Sequence, residues 1–283
     1  MNINKTIATG LLVAGSFAAS SAMAGTLITD WTYNLDSGFT AFTQANGTAT
    51  PPGDVTGSEI NLATGAPSRL SWGNAFDGST DQSSIAVGET NGNKSGSIVT
   101  NAAAIDTVLI SHDNVTLFAT SSTLLTATLL DVLTLTPTAP AGPALPPLPL
   151  TFGINFTETP NLDNAAGCAV ASLTGCPDIF VFDVAGGGFN VTDPSNVFIT
   201  NSFVTDGFLY TTELFVAGLG ILSDAACSAA GVADGCIGLT TEEEQSNDFQ
   251  VSLAISAREV SAPASLALLG LGLLGMGRMR RKA

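Results

Sequence analysis

The stretch Leu150-Thr151-Phe152-Gly153-Ile154-Asn155-Phe156 carries an apolar side chain at nearly every second position. Alternation of this kind has the period of a β-strand, in which successive side chains point to opposite faces of a sheet. Phe152, Ile154 and Phe156 therefore share one face. The stretch predicts a half-buried strand, and most of the remaining chain follows the same pattern.

Other segments extend this pattern along the chain. Val251–Ile255 alternates in the same way, and Ile179–Phe182 is a continuous apolar run, as expected of a strand covered on both faces. The Thr-rich segment Thr123–Thr136 predicts one long strand or a pair, ending at Pro137. Further strand candidates are Leu27–Tyr33, Ser68–Trp72, Ile105–Ser111, Val197–Val204 and Phe208–Val216. About nine to eleven short strands without partner helices predict an all-β chain, an antiparallel β-sandwich or jelly roll in one domain.

Two segments are poor strand candidates because they are rich in proline. Ala45–Gly57 contains Pro51-Pro52-Gly53, and Ala139–Pro149 contains several prolines within a short distance. Proline has no backbone donor and is excluded from central strands. We expect the second segment to be an exposed, stiff connector between strands.

The N-terminus has the pattern of a secretory signal peptide. Lys5 precedes the apolar stretch Ile7–Ala19, and Ala22-Met23-Ala24 gives the small-x-small pattern of a cleavage site. We predict cleavage between Ala24 and Gly25, so that residues 1–24 are removed. The expected partners are the Sec translocon and signal peptidase, and the expected domain spans residues 25–259.

The C-terminus, residues 260–283, combines an apolar segment with a basic tail. Val260–Gly277 is uncharged, and at about 1.5 Å per residue a helix of this length spans roughly 27 Å, close to the thickness of a bilayer core. The tail carries Arg278, Arg280, Arg281 and Lys282. A basic cluster of this kind favours the cytoplasmic side, so we predict a hydrophobic membrane helix that retains the exported chain at its C-terminus.

The segment between these ends is strongly acidic. It contains all 24 acidic residues but only Arg69, Lys94 and Arg258 among the basic ones, a formal charge of −21. Such a charge repels nucleic acids and anionic polysaccharides, which makes both poor ligands. It is compatible with divalent cations, with neutral glycans, or with a solvated acidic surface.

The four cysteines form two local pairs, Cys168 with Cys176 and Cys227 with Cys236. In an exported protein this spacing favours two disulfides that each close a short loop. Zinc would require closer ligands such as Cys-x2-Cys and reduced thiolates. We therefore expect disulfides and no zinc site.

The sequence shows no catalytic constellation. His112 is the only histidine, and no Gly-x-Ser-x-Gly, His-Glu-x-x-His or P-loop pattern accompanies it. Paired carboxylates for glycoside hydrolysis stay open, because their spatial pairing is not visible in a sequence. The run Glu242–Glu244 is interpreted as solvated. We predict no catalytic residues and no required cofactor, although Asn74, Asp77 and Asp81 together offer oxygen ligands for calcium.

The C-terminal pattern resembles a PEP-CTERM sorting signal, which exosortases of Gram-negative bacteria recognise. Such a signal has a Pro-Glu-Pro-like entry, a Gly/Leu-rich helix and an Arg-rich end. Here the entry is Ser261, Ala262 and Pro263, of which only the last matches, while Leu266–Gly275 matches the helix and Arg278–Lys282 the basic end. The resemblance implies an exosortase-like partner and an inner-membrane-anchored intermediate that reaches the cell surface or extracellular matrix.

The preceding domain is similar to a PEP-CTERM family named for a Thr-His-x-Asn motif. Ser111, His112, Asp113 and Asn114 correspond to the motif, with serine in the threonine position. Further matching features are Glu158–Asn161, Cys176–Val181, Asp206–Tyr210 and Thr241-Glu242 with the two cysteine loops. Families of this kind are associated with exopolysaccharide and biofilm matrix. The imidazole of such a motif can bind a metal or a sugar hydroxyl, but the Asp and Asn side chains can equally hold a strand-to-loop turn.

We therefore expect an exported, non-enzymatic surface or matrix protein in contact with extracellular polysaccharide. One alternative is a carbohydrate-binding module, with or without calcium, that stacks sugars on an aromatic face. The side chains available for such stacking are Trp31, Tyr33, Trp72 and Tyr210. The least favoured alternative is a glycan hydrolase or lyase with two carboxylates in a groove.

Overall fold

The computed structural model describes residues 25–88, 91–161, 167–170, 175–184, 189–193 and 196–260. Thr26–Glu259 forms one compact unit. The predicted signal peptide up to Ala24 and the predicted sorting residues Ser261, Ala262, Pro263, Arg278, Arg280 and Arg281 lie outside the described residues. Among the residues that are described, no helix has the length and apolar character needed to cross a bilayer.

The described chain folds into two antiparallel sheets, which confirms the prediction of an all-β sandwich. One sheet is formed by β1 (Asp30–Ala45), β5 (Asn93–Val99), β7 (Thr123–Ala139), β8 (Leu148–Thr157), β9 (Asp178–Val184), β13 (Gly220–Ile221) and β14 (Ile237–Thr241). The order of its strands is β13-β14-β9-β8-β7-β1-β5. We call it the first sheet.

The second sheet contains the remaining eight strands. These are β2 (Thr56–Ile60), β3 (Pro67–Trp72), β4 (Ser83–Val87), β6 (Ile105–Asn114), β10 (Phe189–Asp193), β11 (Asn196–Thr205), β12 (Phe208–Val216) and β15 (Gln245–Glu259). Their order is β10-β11-β12-β15-β6-β4-β3-β2. β6, which carries the histidine motif, is thus an interior strand between β15 and β4.

The core lies between the sheets and is filled by alternate residues of both. The largest fully buried side chains include Trp31, Trp72, Tyr210, Phe39 and Phe180. The polar groups of two of these rings are satisfied within the core: the Trp31 indole donates to Thr100 Oγ1 at 2.9 Å, and the Tyr210 hydroxyl accepts from the Ile28 amide at 2.8 Å. Buried aromatic residues of this kind provide much of the apolar area that stabilises a sandwich.

Strand lengths differ from the expectation at two places. The Thr-rich segment is a single strand, β7, which continues through Pro137 to Ala139. Pro137 pairs with Trp31 next to a register shift, and proline is tolerated at such irregular positions because its missing donor is not needed there. β1 extends to Ala45, well beyond the predicted Leu27–Tyr33, and its pairing with β7 contains register shifts typical of β-bulges.

Both predicted disulfides are present, Cys168–Cys176 and Cys227–Cys236. The second starts at Cys227 within the short helix α1 (Asp224–Ala229), which the sequence did not predict. Ser223 caps this helix, since its hydroxyl accepts from the Ala226 amide at 3.2 Å. The disulfides are weakly consistent with an extracellular or periplasmic protein, because such bonds persist in oxidising compartments.

Candidate functional site: a buried carboxylate cluster

Three neighbouring strands of the first sheet, β8, β9 and β14, each have one terminus at the same end of the sandwich. The β8–β9 ladder pairs Thr157 with Ile179, and the β9–β14 ladder pairs Asp178 with Thr241. Glu158, the residue after β8, is therefore placed beside Asp178, the first residue of β9. Glu243 follows β14 by two residues, in the turn that leads to β15.

The side chains of Glu158, Asp178 and Glu243 form a carboxylate cluster. One oxygen from each lies within 4.8 Å of the others. Asp178 is 0% and Glu243 6% exposed, whereas Glu158 is half-buried. The interpretation of Glu242–Glu244 as a solvated run is thus wrong for its central residue, because the turn directs Glu243 inward while Glu244 is exposed.

Among the described residues, hydrogen-bond donors reach only one oxygen of Glu158 and one of Asp178. Oε2 of Glu158 accepts from the Trp72 indole at 3.5 Å. Oδ1 of Asp178 accepts from the Thr159 amide at 2.8 Å and from its hydroxyl at 3.4 Å. The other oxygens, Glu158 Oε1 and Asp178 Oδ2, are buried and have no hydrogen-bond partner. Buried polar atoms are nearly always paired, so these two oxygens call for an explanation.

Two asparagines lie against Glu243. The exposed amide of Asn161 is 3.1 Å from both of its carboxylate oxygens and donates to both when the amide nitrogen faces them. The Asn114 side chain, which is 2% exposed, also contacts this carboxylate and donates to the Thr241 carbonyl at 3.4 Å. Its oxygen, Oδ1, is buried without a donor. Asn114 thus adds a third unpartnered oxygen beside the carboxylate cluster.

Burial dominates the electrostatics of the carboxylate cluster. It raises the pKa of Asp178 well above the ordinary value, and the neighbouring Glu158 and Glu243 raise it further. It raises the pKa of Glu158 in the same way, with Glu243 adding to the effect. Burial also raises the pKa of Glu243 to about 7, although the Asn114 amide acts in the opposite direction. At neutral pH the negative charge of these carboxyl groups must therefore be balanced, either by bound protons or by a cation.

The motif Ser111–Asn114 divides between the two faces of β6. Ser111 donates to Asp248 at 2.7 Å, and Asp113 accepts from Arg69 at 3.2 Å, both on the outer face. His112 and Asn114 point inward, as the period of a strand requires. The imidazole and the Asp113 carboxylate therefore do not converge on one ligand.

His112 lies in an aromatic environment between the sheets. Its ring stacks on Trp72, with centroids 5.8 Å apart, and meets the edges of Phe156 and Phe180. Nδ1 forms a 2.9 Å hydrogen bond with Thr241 Oγ1, whereas Nε2 is buried without a partner. Burial lowers the pKa of His112 to about 3, so the ring is neutral at physiological pH. This contact joins β6 to the end of β14 across the sandwich.

The other predicted ligands are not assembled in this way. Asp77 and Asp81 both accept from Ser79 in an exposed loop, at 2.8 and 3.1 Å, and Asn74 donates to the Pro51 carbonyl. The four rings proposed for sugar stacking are all buried in the core: Trp31, Tyr33, Trp72 and Tyr210. These four side chains hold the sandwich together instead of forming a binding face.

An open cavity of about 470 Å³ lies outside the carboxylate cluster and shares Asn114 with it. Its lining includes Phe76, Asp77 and Gln245. The Phe76 ring is 64% exposed and packs on Phe118, with centroids 5.3 Å apart. An exposed aromatic ring beside polar side chains is the kind of surface that sugars contact.

Comparison with known proteins adds no family assignment to this geometry. The sequence matches no protein-family model and no curated protein. Sequence patterns indicate the carboxylate cluster only in part, since Glu158 and Asn161 belong to one segment of the family resemblance and Glu243 to an acidic run. Their meeting depends on strand register, which a single sequence does not reveal.

Proposed function

We propose that the protein is an exported, non-enzymatic component of the cell surface or extracellular matrix of a Gram-negative bacterium. The observation that carries this proposal is the enclosure of its reactive groups. His112 is 1% and Asp178 0% exposed, within a packed core. A general acid or base must reach its substrate within hydrogen-bond distance, and a polysaccharide cannot enter this space. These side chains are therefore placed to stabilise the folded domain and not to react with a substrate.

Catalysis of glycan cleavage fits the carboxylate cluster poorly. Glycosidases place two carboxyl groups about 5–10 Å apart on either side of an accessible sugar. Here the oxygens approach within 4.8 Å of one another, and the buried side chains of Trp72 and Asn114 contact Glu158 and Glu243. The arrangement suits the binding of protons or a small ion better than the binding of a sugar ring.

In this proposal, residues 1–24 direct export through Sec, and residues 260–283 direct sorting by an exosortase-type enzyme. The two disulfides and the acidic domain with a formal charge of −21 are compatible with a folded domain outside the cytoplasm. Association with extracellular polysaccharide would then occur through the surface of the sandwich.

The experiment compares the full chain with a variant that lacks residues 261–283. Fractionation and intact-mass measurement should find the full chain at the surface or in the matrix, without residues 1–24 and with two disulfides. The truncated variant should leave that fraction. A variant with Arg278, Arg280 and Arg281 changed to Gln tests the basic end alone. An unchanged distribution of the truncated variant would contradict sorting through this segment.

A second candidate function is carbohydrate binding at the open cavity beside Phe76. The exposure of this ring, next to Asp77 and Gln245, favours it. Affinity electrophoresis in gels that contain neutral polysaccharides should show retardation that Phe76→Ala removes. Phe42→Ala, at a 38% exposed ring on β1, is the matched control. Equal mobility of the wild type with and without polysaccharide would rule out this function for the glycans tested.

A further inference from the structure

We propose that Glu158, Asp178 and Glu243 bind one calcium ion, with Asn114 and Asn161 supplying amide oxygens, at the end of the sandwich where β8, β9, β14 and β6 meet. The site is independent of the sorting route and of glycan binding. It also differs from the Asn74, Asp77 and Asp81 set, whose side chains are engaged by local contacts.

The spacing of the oxygens agrees with a shared ion. Calcium binds oxygen ligands at about 2.3–2.6 Å, so two ligands of one ion lie at most about 5 Å apart. The three carboxylates present oxygens that are all within 4.8 Å of one another. An ion among them would therefore contact each carboxylate without a large rearrangement of the strands.

The unpartnered oxygens are an observation separate from the acidic charge. Glu158 Oε1, Asp178 Oδ2 and Asn114 Oδ1 are all buried, and none has a donor among the described residues. A buried oxygen without a partner loses the hydrogen bonds that water gives it in the unfolded chain, which destabilises the fold. Asn114 is neutral, so its orphan oxygen cannot be ascribed to charge repulsion. A cation among the carboxylates would offer the missing partner to Glu158 and Asp178, and to Asn114 once its amide, whose nitrogen now faces Glu243, turns its oxygen inward.

Charge balance points in the same direction. Glu158, Asp178 and Glu243 are three acidic side chains whose oxygens lie within 4.8 Å of one another. The guanidinium of Arg69 binds Glu59 and Asp113, neither of which belongs to the carboxylate cluster. Buried charges are normally paired or bound to metal. Calcium would supply positive charge at this position.

The donor types select calcium among common divalent ions. All five side chains offer oxygen, which hard cations prefer, and no cysteine thiolate takes part because the cysteines are in disulfides. Magnesium usually retains several waters and demands octahedral geometry, which an enclosed site of irregular ligands does not favour. The exposed Asn161 lies beside Glu243, so an ion can enter there and be covered by that amide once its oxygen turns inward.

The test uses the purified, exported protein after removal of metal with EDTA. Isothermal titration with calcium chloride should show one binding site, and magnesium should bind at least tenfold more weakly. Terbium, which replaces calcium, should emit on excitation of tryptophan, because the Trp72 indole is 3.5 Å from Glu158 Oε2. Trp72→Phe should remove most of this emission, whereas Trp31→Phe, with a ring against Phe203 and Tyr210, should preserve it.

The ligand variants are Asp178→Asn and Glu243→Gln, and each should weaken calcium binding on the order of tenfold or more. The matched control is Asp206→Asn, an exposed acid at positive φ, a conformation that asparagine tolerates. Circular dichroism establishes that each variant is folded. The proposal is wrong if the wild type shows neither a heat of calcium binding in the titration nor terbium emission. It is also wrong if folded Glu243→Gln binds calcium as tightly as the wild type. The wild-type measurements decide the matter even if both ligand variants fail to fold.

Discussion

Glu243→Gln should stabilise the metal-free protein at pH 8 and reduce the stabilisation that calcium provides. In the metal-free protein the folded-state pKa of Glu243 is raised to about 7 by burial, above its ordinary value of 4.5. A raised pKa means that the carboxyl group stabilises the fold while protonated and that this stability is lost as pH rises from about 5 through 7. At pH 8 the ionised group is therefore at its most unfavourable.

The magnitude follows from this difference in pKa. Each pKa unit corresponds to 1.36 kcal/mol, so the difference between about 7 and 4.5 gives roughly 3 kcal/mol as an upper value. Glutamine removes the charge while keeping the size of the side chain. Metal-free Glu243→Gln should thus be more stable than the metal-free wild type at pH 8, by up to about 3 kcal/mol. At pH 5 the two should be nearly equal.

Calcium should reduce the advantage of the variant. At 100 times the wild-type dissociation constant, calcium adds about 2.7 kcal/mol to the folded wild type, whereas a variant that binds tenfold more weakly gains about 1.4 kcal/mol. Since 1 kcal/mol shifts the melting temperature of a domain of this size by about 2–4 °C, the wild type should gain roughly 5–11 °C. Thermal unfolding by circular dichroism, at pH 5 and 8 with calcium or EDTA, measures all four conditions.

One result would refute this reasoning directly. If Glu243→Gln lowers stability by the same amount with calcium and with EDTA, Glu243 acts only through packing and hydrogen bonds. The Asp206→Asn control should show no dependence on calcium beyond that of the wild type. An effect of calcium that is equal in Glu243→Gln and in the wild type would place the ion elsewhere.

Three further predictions concern other parts of the structure. Asp131→Asn should be more stable than the wild type above pH 6, by up to about 3 kcal/mol, because burial raises the pKa of Asp131 to about 6 from 3.8. Urea unfolding at pH 4 and 7.5 measures the difference in free energy of unfolding between the two proteins, and an equal difference at both pH values would contradict the prediction. His112 should show no imidazole titration by NMR between pH 5 and 8, since its pKa is lowered to about 3; a midpoint near 6.5 would mean an accessible ring. Replacing Cys227 and Cys236 by serine should cost about 2–3 kcal/mol and speed amide exchange in α1; unchanged exchange would mean that the helix is held by packing alone.

Alternation in the sequence predicts the fold well because it is a local signal. The predicted strand Phe208–Val216 has the bounds of β12, and the cysteine spacing predicts both disulfide pairs correctly. The strand predicted at Leu27–Tyr33 is too short, since the buried stretch of β1 includes Asp36 and Ser37, which the alternation rule assigns to solvent. Only the pairing with β7 and β5 makes this polar stretch part of a strand.

The carboxylate cluster could not be predicted in the same way. Glu158, Asp178 and Glu243 are brought together by the register of β8, β9 and β14, a non-local property that single-sequence patterns do not encode. The period of β6 alone does place His112 and Asn114 on one face and Asp113 on the other. Applied to the motif, the period of a strand is therefore sufficient to separate the imidazole from the carboxylate.

The carboxylate cluster gives the proposed calcium ion a definite structural consequence. Three carboxylates in a space of this size repel one another, and hydrogen bonds from Trp72, Thr159 and Asn161 reach only part of their oxygens. Without an ion, neutral pH must either leave protons on them or destabilise the ends of β8, β9 and β14. With an ion, those ends are joined to one another and, through Asn114, to β6 of the other sheet. Calcium would thus act as a cross-link whose strength follows the pH and the ionic composition around the protein, with no chemistry performed on any substrate.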